Sequence, residues 1–515
     1  MILPAAKLIR WACAVALAAP GTACAPAAGP PAPPPSPAPV AIASHHRAPG
    51  PWPDTRAELR QAVDSLVALP EFRNALWGVL VVDPESGDTL YSRNADKLFL
   101  PASNMKLVTT AVALTKLGAD YRYVTTLAAR GPLRDGVLHG DLLVYGRGDP
   151  TVSDSMSGDA MAPLRAMADS LYAAGVRHIA GRLLVGADAF PGPTLGFGWS
   201  WDDLGATYGA PVDELLFNDG FADVRVHAGP APGDSVRAAT APANRYPILR
   251  VAVRTVSASD TAQLHAAPLR AATDTATGVV ELLGTLAAGD SASLAVPLVR
   301  PDAAYLAALR EALEDRGIAV DGAATDSTAS VDTLARLESV PLARMLPAVL
   351  KPSQNQMAEM LLRTLALVQT GAGVVDSGVR VETAQLEAWG ASPDGFVLRD
   401  GSGLSRYDYL SPETIVRVLD AMRTSPAFDA WYAALPVAGV DGTLETRMRG
   451  TAAFGNVHAK TGSLANVRSL SGYASTTDGH QLVFSVICNN FTAAPSQVLA
   501  VEDSIAARLA SLRLR

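Results

Sequence analysis

The stretch "PASNMKLVTT", residues 101–110, decides how this chain is read. Ser103 and Lys106 stand three apart where an apolar run begins, and the run continues as "LVTTAVALTKLG" to Gly118, a helix stop. On a helix such a pair projects from one face in neighbouring turns. Only six of the 42 basic residues are lysine, and the rest are arginine. A hydroxyl becomes a nucleophile when an adjacent base takes its proton, and a lysine amine can do so if burial or nearby positive charge lowers its pKa. Arginine cannot, because its guanidinium keeps its proton. A lysine at this point of an arginine-preferring chain is therefore suggestive. Taken alone, though, the segment reads better as a serine-capped surface helix with a solvated lysine.

Two distant segments change that balance. In "KPSQNQMAEMLL" (351–362), Ser353 and Asn355 lie two apart just before a helix opens. By itself this is turn and capping chemistry. In "VHAKTGSLANV" (457–467), Lys460, Thr461 and Gly462 sit in a strand-like context, and Lys460 is the last lysine of the chain. Such a strand offers a cation, a hydroxyl and a bare backbone that a substrate can approach closely. A hairpin with a glycine bulge is the simpler alternative.

At 515 residues the chain is too long for one ordinary domain, so two or three are expected. Apolar residues make up 49% and charged ones 18%, which allows a large core and excludes global disorder. The net charge of −8 argues against a nucleic-acid partner. Residues 1–25 read as an export signal: Lys7 and Arg10 precede the apolar "WACAVALAAP", and "GTAC" supplies small residues up to Cys24. Two processing outcomes follow. Either Cys24 is lipidated and anchors the chain to a membrane, or a signal peptidase removes it. Cys488 is then the one cysteine certain to remain, which leaves no disulfide framework and no cysteine-based metal site.

Residues 26–53 are Pro/Ala-rich and read as an extended spacer. The folded part starts at Asp54, with Leu59, Ala62, Val63, Leu66 and Val67 on one helical stripe. "WGVLVVD" and "TLYSRN" around "PESG" predict a strand, a turn and a strand. From 121 to 337 strand-like pieces alternate with Asp/Gly/Pro turns, with helices near 160–174 and 302–316. Strong helical periodicity returns around Ser353. The chain closes with two strands about a "TTDG" turn and a last helix.

Ser-x-x-Lys, Ser-x-Asn and Lys-Thr-Gly, in that order, resemble the motifs of the penicillin-interacting serine acyl-transferases. "YGRGDPTVS" (145–153), "GFGWSWDDLGATYGAPVDELLFNDG" (196–220), "DGSGLSRYDYLSPE" (400–413) and "LPVAGVDGTLETR" (435–447) narrow the resemblance. From about residue 55 onward the chain is similar to the D-alanyl-D-alanine carboxypeptidases/endopeptidases of the penicillin-binding-protein-4 (DacB) type, peptidase family S13.

That resemblance implies an α+β fold. A transpeptidase-like catalytic domain, an antiparallel sheet flanked by helices, would be built from 54–120 and 338–515. Residues 121–337 would form inserted domains II and III, mostly β, one nested in the other. It implies a periplasmic or cell-envelope hydrolase that trims peptidoglycan stem peptides, needs no cofactor or metal, and is blocked covalently by β-lactams. Ser103 would be the nucleophile and Lys106 the base. Ser353 would relay a proton to the departing amine, and Asn355 would hold the substrate amide. Lys460 would supply positive field, and Thr461, within the Lys-Thr-Gly strand that ends at Gly462, would bind the terminal carboxylate. The backbone N–H groups of Ser103 and Ser463 would form an oxyanion hole. Asp203 would pair with the free amine of a diaminopimelate side chain, with Tyr208 packed nearby and Leu464 lining the same pocket. A β-lactamase is the nearest enzymatic rival, and a catalytically silent wall-binding protein is the alternative outside enzymes. A general-base glutamate motif of the class A β-lactamase kind is not found between the first two motifs.

Overall fold

The computed structural model describes residues 56–323 and 328–514. The export signal, Cys24 and the 26–53 spacer lie outside them. Helix α1 (Arg56–Val67) buries Leu59, Val63 and Val67, one stripe at helical spacing. Strands β1 (Leu76–Asp83) and β2 (Asp88–Arg93) form an antiparallel hairpin, and helix α2 (Met105–Leu117) follows after a 3-10 turn, Ala102–Asn104. Gly118 ends α2 with φ 88°, a conformation that a side chain would strain.

Next comes the 121–337 segment. Strands β3 (Val124–Arg130), β4 (Asp141–Tyr145) and β5 (Leu183–Val185) make a sheet beside helix α3 (Met161–Ala173). Inside this unit lies a second one. Strand β6 (Phe221–His227) carries β7 (Arg237–Ala241) on one side and β11 (Ser291–Pro297) on the other. Between them β8 (Leu249–Val256), β9 (Arg270–Thr273) and β10 (Val280–Ala287) form a separate sheet, with β10 in the centre. Phe221 pairs with Pro297, and Leu298 N–H donates to Gly220 O at 2.8 Å, so this inner unit leaves and rejoins the chain at one point. Helix α4 (Pro301–Asp315) packs on α3, and β12 (Val331–Glu338) returns antiparallel to β3, with Val124 opposite Glu338.

The chain then re-enters the first body through α5 (Asn355–Thr370) and α6 (Pro412–Arg423). Strands β13 (His458–Leu464), β14 (Val467–Ser475) and β15 (Gln481–Asn489) complete a five-stranded antiparallel sheet in the order β13-β14-β15-β1-β2, and α7 (Pro495–Ser511) closes it. Both sheet faces are apolar. Trp77, Val79 and Val81 of β1 and Phe484, Val486 and Cys488 of β15 join the core under α1 and α7. Their alternates, Leu80, Val483 and Ile487, join the core around α2, α5 and α6. A period of two that is apolar on both faces marks a sheet sandwiched between helix layers. The inserted segment has its own core, built on Leu127, Leu164, Val224 and Leu309 among others. Among the described residues, no helix is long and apolar enough to cross a membrane.

Candidate active site

The surface-helix reading of "PASNMKLVTT" does not survive. Every residue of α2 from Met105 to Leu114 is buried, Lys106 completely, and no side chain caps the helix. Ser103 sits in the 3-10 turn just ahead of α2. That turn is pinned to the sheet: Asn104 Nδ2 donates to Lys460 O at 3.0 Å, and Ser469 Oγ donates to Pro101 O at 2.8 Å. Ala102 takes φ 47°, a strained value for a residue with a Cβ. The cost is met by these cross-links, and Ser103 is presented at the rim.

Three chain segments far apart in sequence converge on Ser103. Lys106 Nζ lies 3.1 Å from Ser103 Oγ, 2.6 Å from Asn355 Oδ1 and 2.7 Å from Ser402 O. Burial pushes the Lys106 ammonium down to about 7, against an upward pull from Asp400 and Glu359. Ser353 does not cap α5. Gln354 does, its side chain accepting from Gln356 N–H, while Ser353 adopts φ 66° and lies 2.8 Å by its Oγ from Lys460 Nζ. Lys460 is also fully buried. Burial, then the charge of Lys106, hold its ammonium well below the usual lysine range.

A cavity of about 510 Å³ opens over this cluster. Ser103, Ser353 and Asn355 form its floor, and Thr461, Ser463 and Leu464 of β13 form one wall. Asp203 and Tyr208, from the inserted segment, form another. Tyr208 O–H donates to Asp203 Oδ1 at 2.8 Å, and that bond, ahead of partial burial, raises the phenol's pKa. Asn355 Nδ2 donates to Tyr208 O at 2.8 Å, tying the inserted loop to the floor.

Gly462 sits where the strand meets the Ser103 turn. It does not line the cavity. A Cβ there would stand 2.7 Å from Pro101 O and 2.2 Å from Ser469 Oγ, so the missing side chain is what lets the Ser103 turn lie against this strand. Lys106 and Lys460 lie beneath the cavity surface, reaching it through Ser103 and Ser353. Residues that motif reading missed are Thr443, whose Oγ1 accepts from Thr461 Oγ1 at 2.7 Å, and the rim cations Arg406 and Arg468. The "DGSGLSR" and "VDGTLETR" runs held a signal for Thr443 and Arg406, but no chemical reason singled out either residue before its neighbours were known.

The geometry supplies a hydroxyl beside a buried amine, a second hydroxyl–amine pair, and a cleft bearing both signs of charge, which suits acyl transfer. Comparison with known proteins identifies the family. The chain is 37% identical over 473 residues to a D-alanyl-D-alanine carboxypeptidase of Actinomadura sp. (strain R39), covering 88% of this chain and 84% of that protein. It is 26% identical over 429 residues to the D-alanyl-D-alanine carboxypeptidase DacB of Haemophilus influenzae, covering 82% and 87%. The crystal structure of penicillin binding protein 4 (dacB) from Haemophilus influenzae has the same fold, with a TM-score of 0.73 at 24% identity over 87% of this chain and 99% of that one. The fold is thus the expected α+β one. Residues 59–512 match the D-Ala-D-Ala carboxypeptidase 3 (S13) family, and the protein belongs to it.

Proposed function

We propose that this protein is a serine D-alanyl-D-alanine carboxypeptidase that trims peptidoglycan stem peptides through an acyl-enzyme on Ser103 and is acylated by β-lactams. The observation that carries the reading is the fully buried Lys106 amine 3.1 Å from Ser103 Oγ. Lys106 takes the hydroxyl proton as Oγ bonds to the carbonyl carbon of the penultimate D-Ala. Backbone N–H groups of Ser103 and Ser463 receive the oxyanion; one such donor is typically worth about 10²–10³ in rate. As the intermediate collapses the C–N bond breaks, and the proton reaches the leaving amine through Ser353, backed by Lys460. Water then cleaves the ester. Thr461, with Thr443 behind it, holds the terminal carboxylate, and Lys460 supplies positive field beside it. Asn355 accepts from Lys106 through Oδ1, and its Nδ2, which gives one hydrogen to Tyr208 O, has a second for the substrate amide.

Asp203 faces the cavity beside Tyr208 and takes the free amine of a diaminopimelate side chain, with Leu464 packing on its aliphatic stem. Such a substrate lies outside the cytoplasmic membrane, in keeping with the export signal. We extend the reading to the division of the chain into a catalytic domain (54–120 and 338–515) and inserted domains II and III (121–337). The test is to incubate the purified protein with a pentapeptide and with cross-linked muropeptides and resolve products by mass. Loss of one D-Ala, abolished in Ser103→Ala, is expected. Products from the cross-linked substrate alone would make the protein an endopeptidase. Rapid nitrocefin turnover at many cycles per second would make it a β-lactamase.

A further inference from the structure

One fully buried carboxylate near the site has no part in the chemistry above. Asp400 is 0% exposed and, among the described residues, forms no ion pair. Its oxygens receive N–H donors on both sides. Oδ1 accepts from Gly403 N–H at 2.6 Å and Ser402 N–H at 3.1 Å, and Oδ2 accepts from Ser405 N–H at 2.7 Å and Trp199 Nε1–H at 2.9 Å. Four N–H groups thus converge on its two acceptor oxygens, and the Asp408 carboxyl is hydrogen-bonded to it as well.

The Ser402–Gly403 peptide faces two ways. Its N–H points at Asp400, and its carbonyl accepts from Lys106 Nζ at 2.7 Å. A peptide dipole with an anion on its N–H end and an amine on its C=O end is polarised in the direction that strengthens both bonds. The same loop is pressed against the nucleophile turn. Gly403 has φ 80°, and a Cβ there would stand 1.9 Å from Ala102 O. Glu359 adds a second anchor, accepting from Ser402 N–H at 2.8 Å.

We propose that Asp400 is a positioning residue for Lys106: acting through the Ser402–Gly403 peptide, it sets the orientation and the proton affinity of the catalytic amine, and Trp199 ties this pedestal to the inserted segment. The inference rests on Lys106 being the base. Besides Asp400, the titratable groups acting on Lys106 are Lys460 from β13 and Glu359 from α5, whereas Glu382 from the helix Val375–Ala388 and Asp408 from the Asp400 loop face Asp400 instead, Asp408 through a side-chain hydrogen bond. None of them reaches the Ser402–Gly403 N–H.

The test is the pH dependence of Ser103 acylation by a fluorescent penicillin, in wild type, Asp400→Asn and Lys106→Arg. Only neutral Lys106 can take a proton, so acylation climbs with pH through the amine's pKa. Removing the anion that favours the ammonium moves that limb to lower pH, by about one unit, the small end of the effect of a nearby opposite charge. A purely structural role would lower the rate equally at all pH values and leave the midpoint in place. That result, in a folded Asp400→Asn, would overturn the proposal. If Asp400→Asn does not fold, Asp400→Glu replaces it. The longer side chain keeps the charge but misplaces the peptide it polarises, so a midpoint moved to lower pH supports the proposal, and an unchanged midpoint, whatever the plateau rate, refutes it. Normal acylation of Lys106→Arg would instead defeat the base assignment itself, an outcome separable from the Asp400 result.

Discussion

In the proposed reaction Lys106 is the base, and its surroundings undo what lysine ordinarily is. At pH 7 a solvated lysine is neutral in roughly one molecule in a few thousand. Full burial lowers the Lys106 pKa to about 7, so the free amine is far more populated near neutrality than in a solvated lysine. The acylation rate should therefore rise about tenfold per pH unit below neutrality and level off above it, read from stopped-flow labelling with a fluorescent penicillin. A rate independent of pH from 5 to 8 would remove Lys106 from the base role. Lys106→Arg keeps a cation in place but cannot release a proton. We expect a loss on the order of 10²–10⁴ in acylation, the range that general-base catalysis supplies. The type of residue needed was legible in the sequence, because arginine cannot do this work. The burial that tunes it was not, since it depends on Asn355, Ser402 and Asp400, which lie some 250 to 300 positions away along the chain.

At the scale of elements, the nucleophile turn and β13 fit together only because Gly462 has no side chain. Gly462→Ala puts a Cβ within 2.2 Å of Ser469 Oγ and 2.7 Å of Pro101 O, so the turn must shift. The expected result is a loss of about 1–3 kcal/mol in stability from overpacking, with slower acylation because Ser103 rides on that turn. Thermal melts and labelling rates together check it, and an unchanged melting temperature would show that the contact is slack. Much at this scale was readable in advance. The helical stripe of α1, the β1–β2 hairpin and the final pair of strands follow from apolar period alone. Ser353 was not readable in the same way. Its Ser-x-Asn spacing suggested capping, but Gln354 caps α5 and frees Ser353 to take a left-handed conformation facing Lys460. A single sequence gives no means of ranking two adjacent cap formers.

At the scale of the whole molecule, the inserted segment is both separate and attached. Its inner unit, 221–297, begins and ends at a hydrogen-bonded point, and none of its residues belongs to the two cores that enclose the five-stranded sheet. Excising 221–297 and joining Gly220 to Leu298 through a short turn should leave Ser103 able to react with penicillin, while the outer unit, which shares its core with β6, loses stability. Absence of labelling in a folded excision variant would mean that the inner unit supports the catalytic body directly. Turn-rich alternation in 121–337 marked a change of character, but nesting depends on which strands pair, and that is invisible to local periodicity.

A covalent bond at Ser103 is the step on which every other proposed role depends. Intact-mass measurement after brief exposure to benzylpenicillin, followed by peptide mapping, should show one penicilloyl group per chain on the peptide containing Ser103 and none in Ser103→Ala. An unmodified wild-type protein, or an adduct that persists in Ser103→Ala, would contradict it.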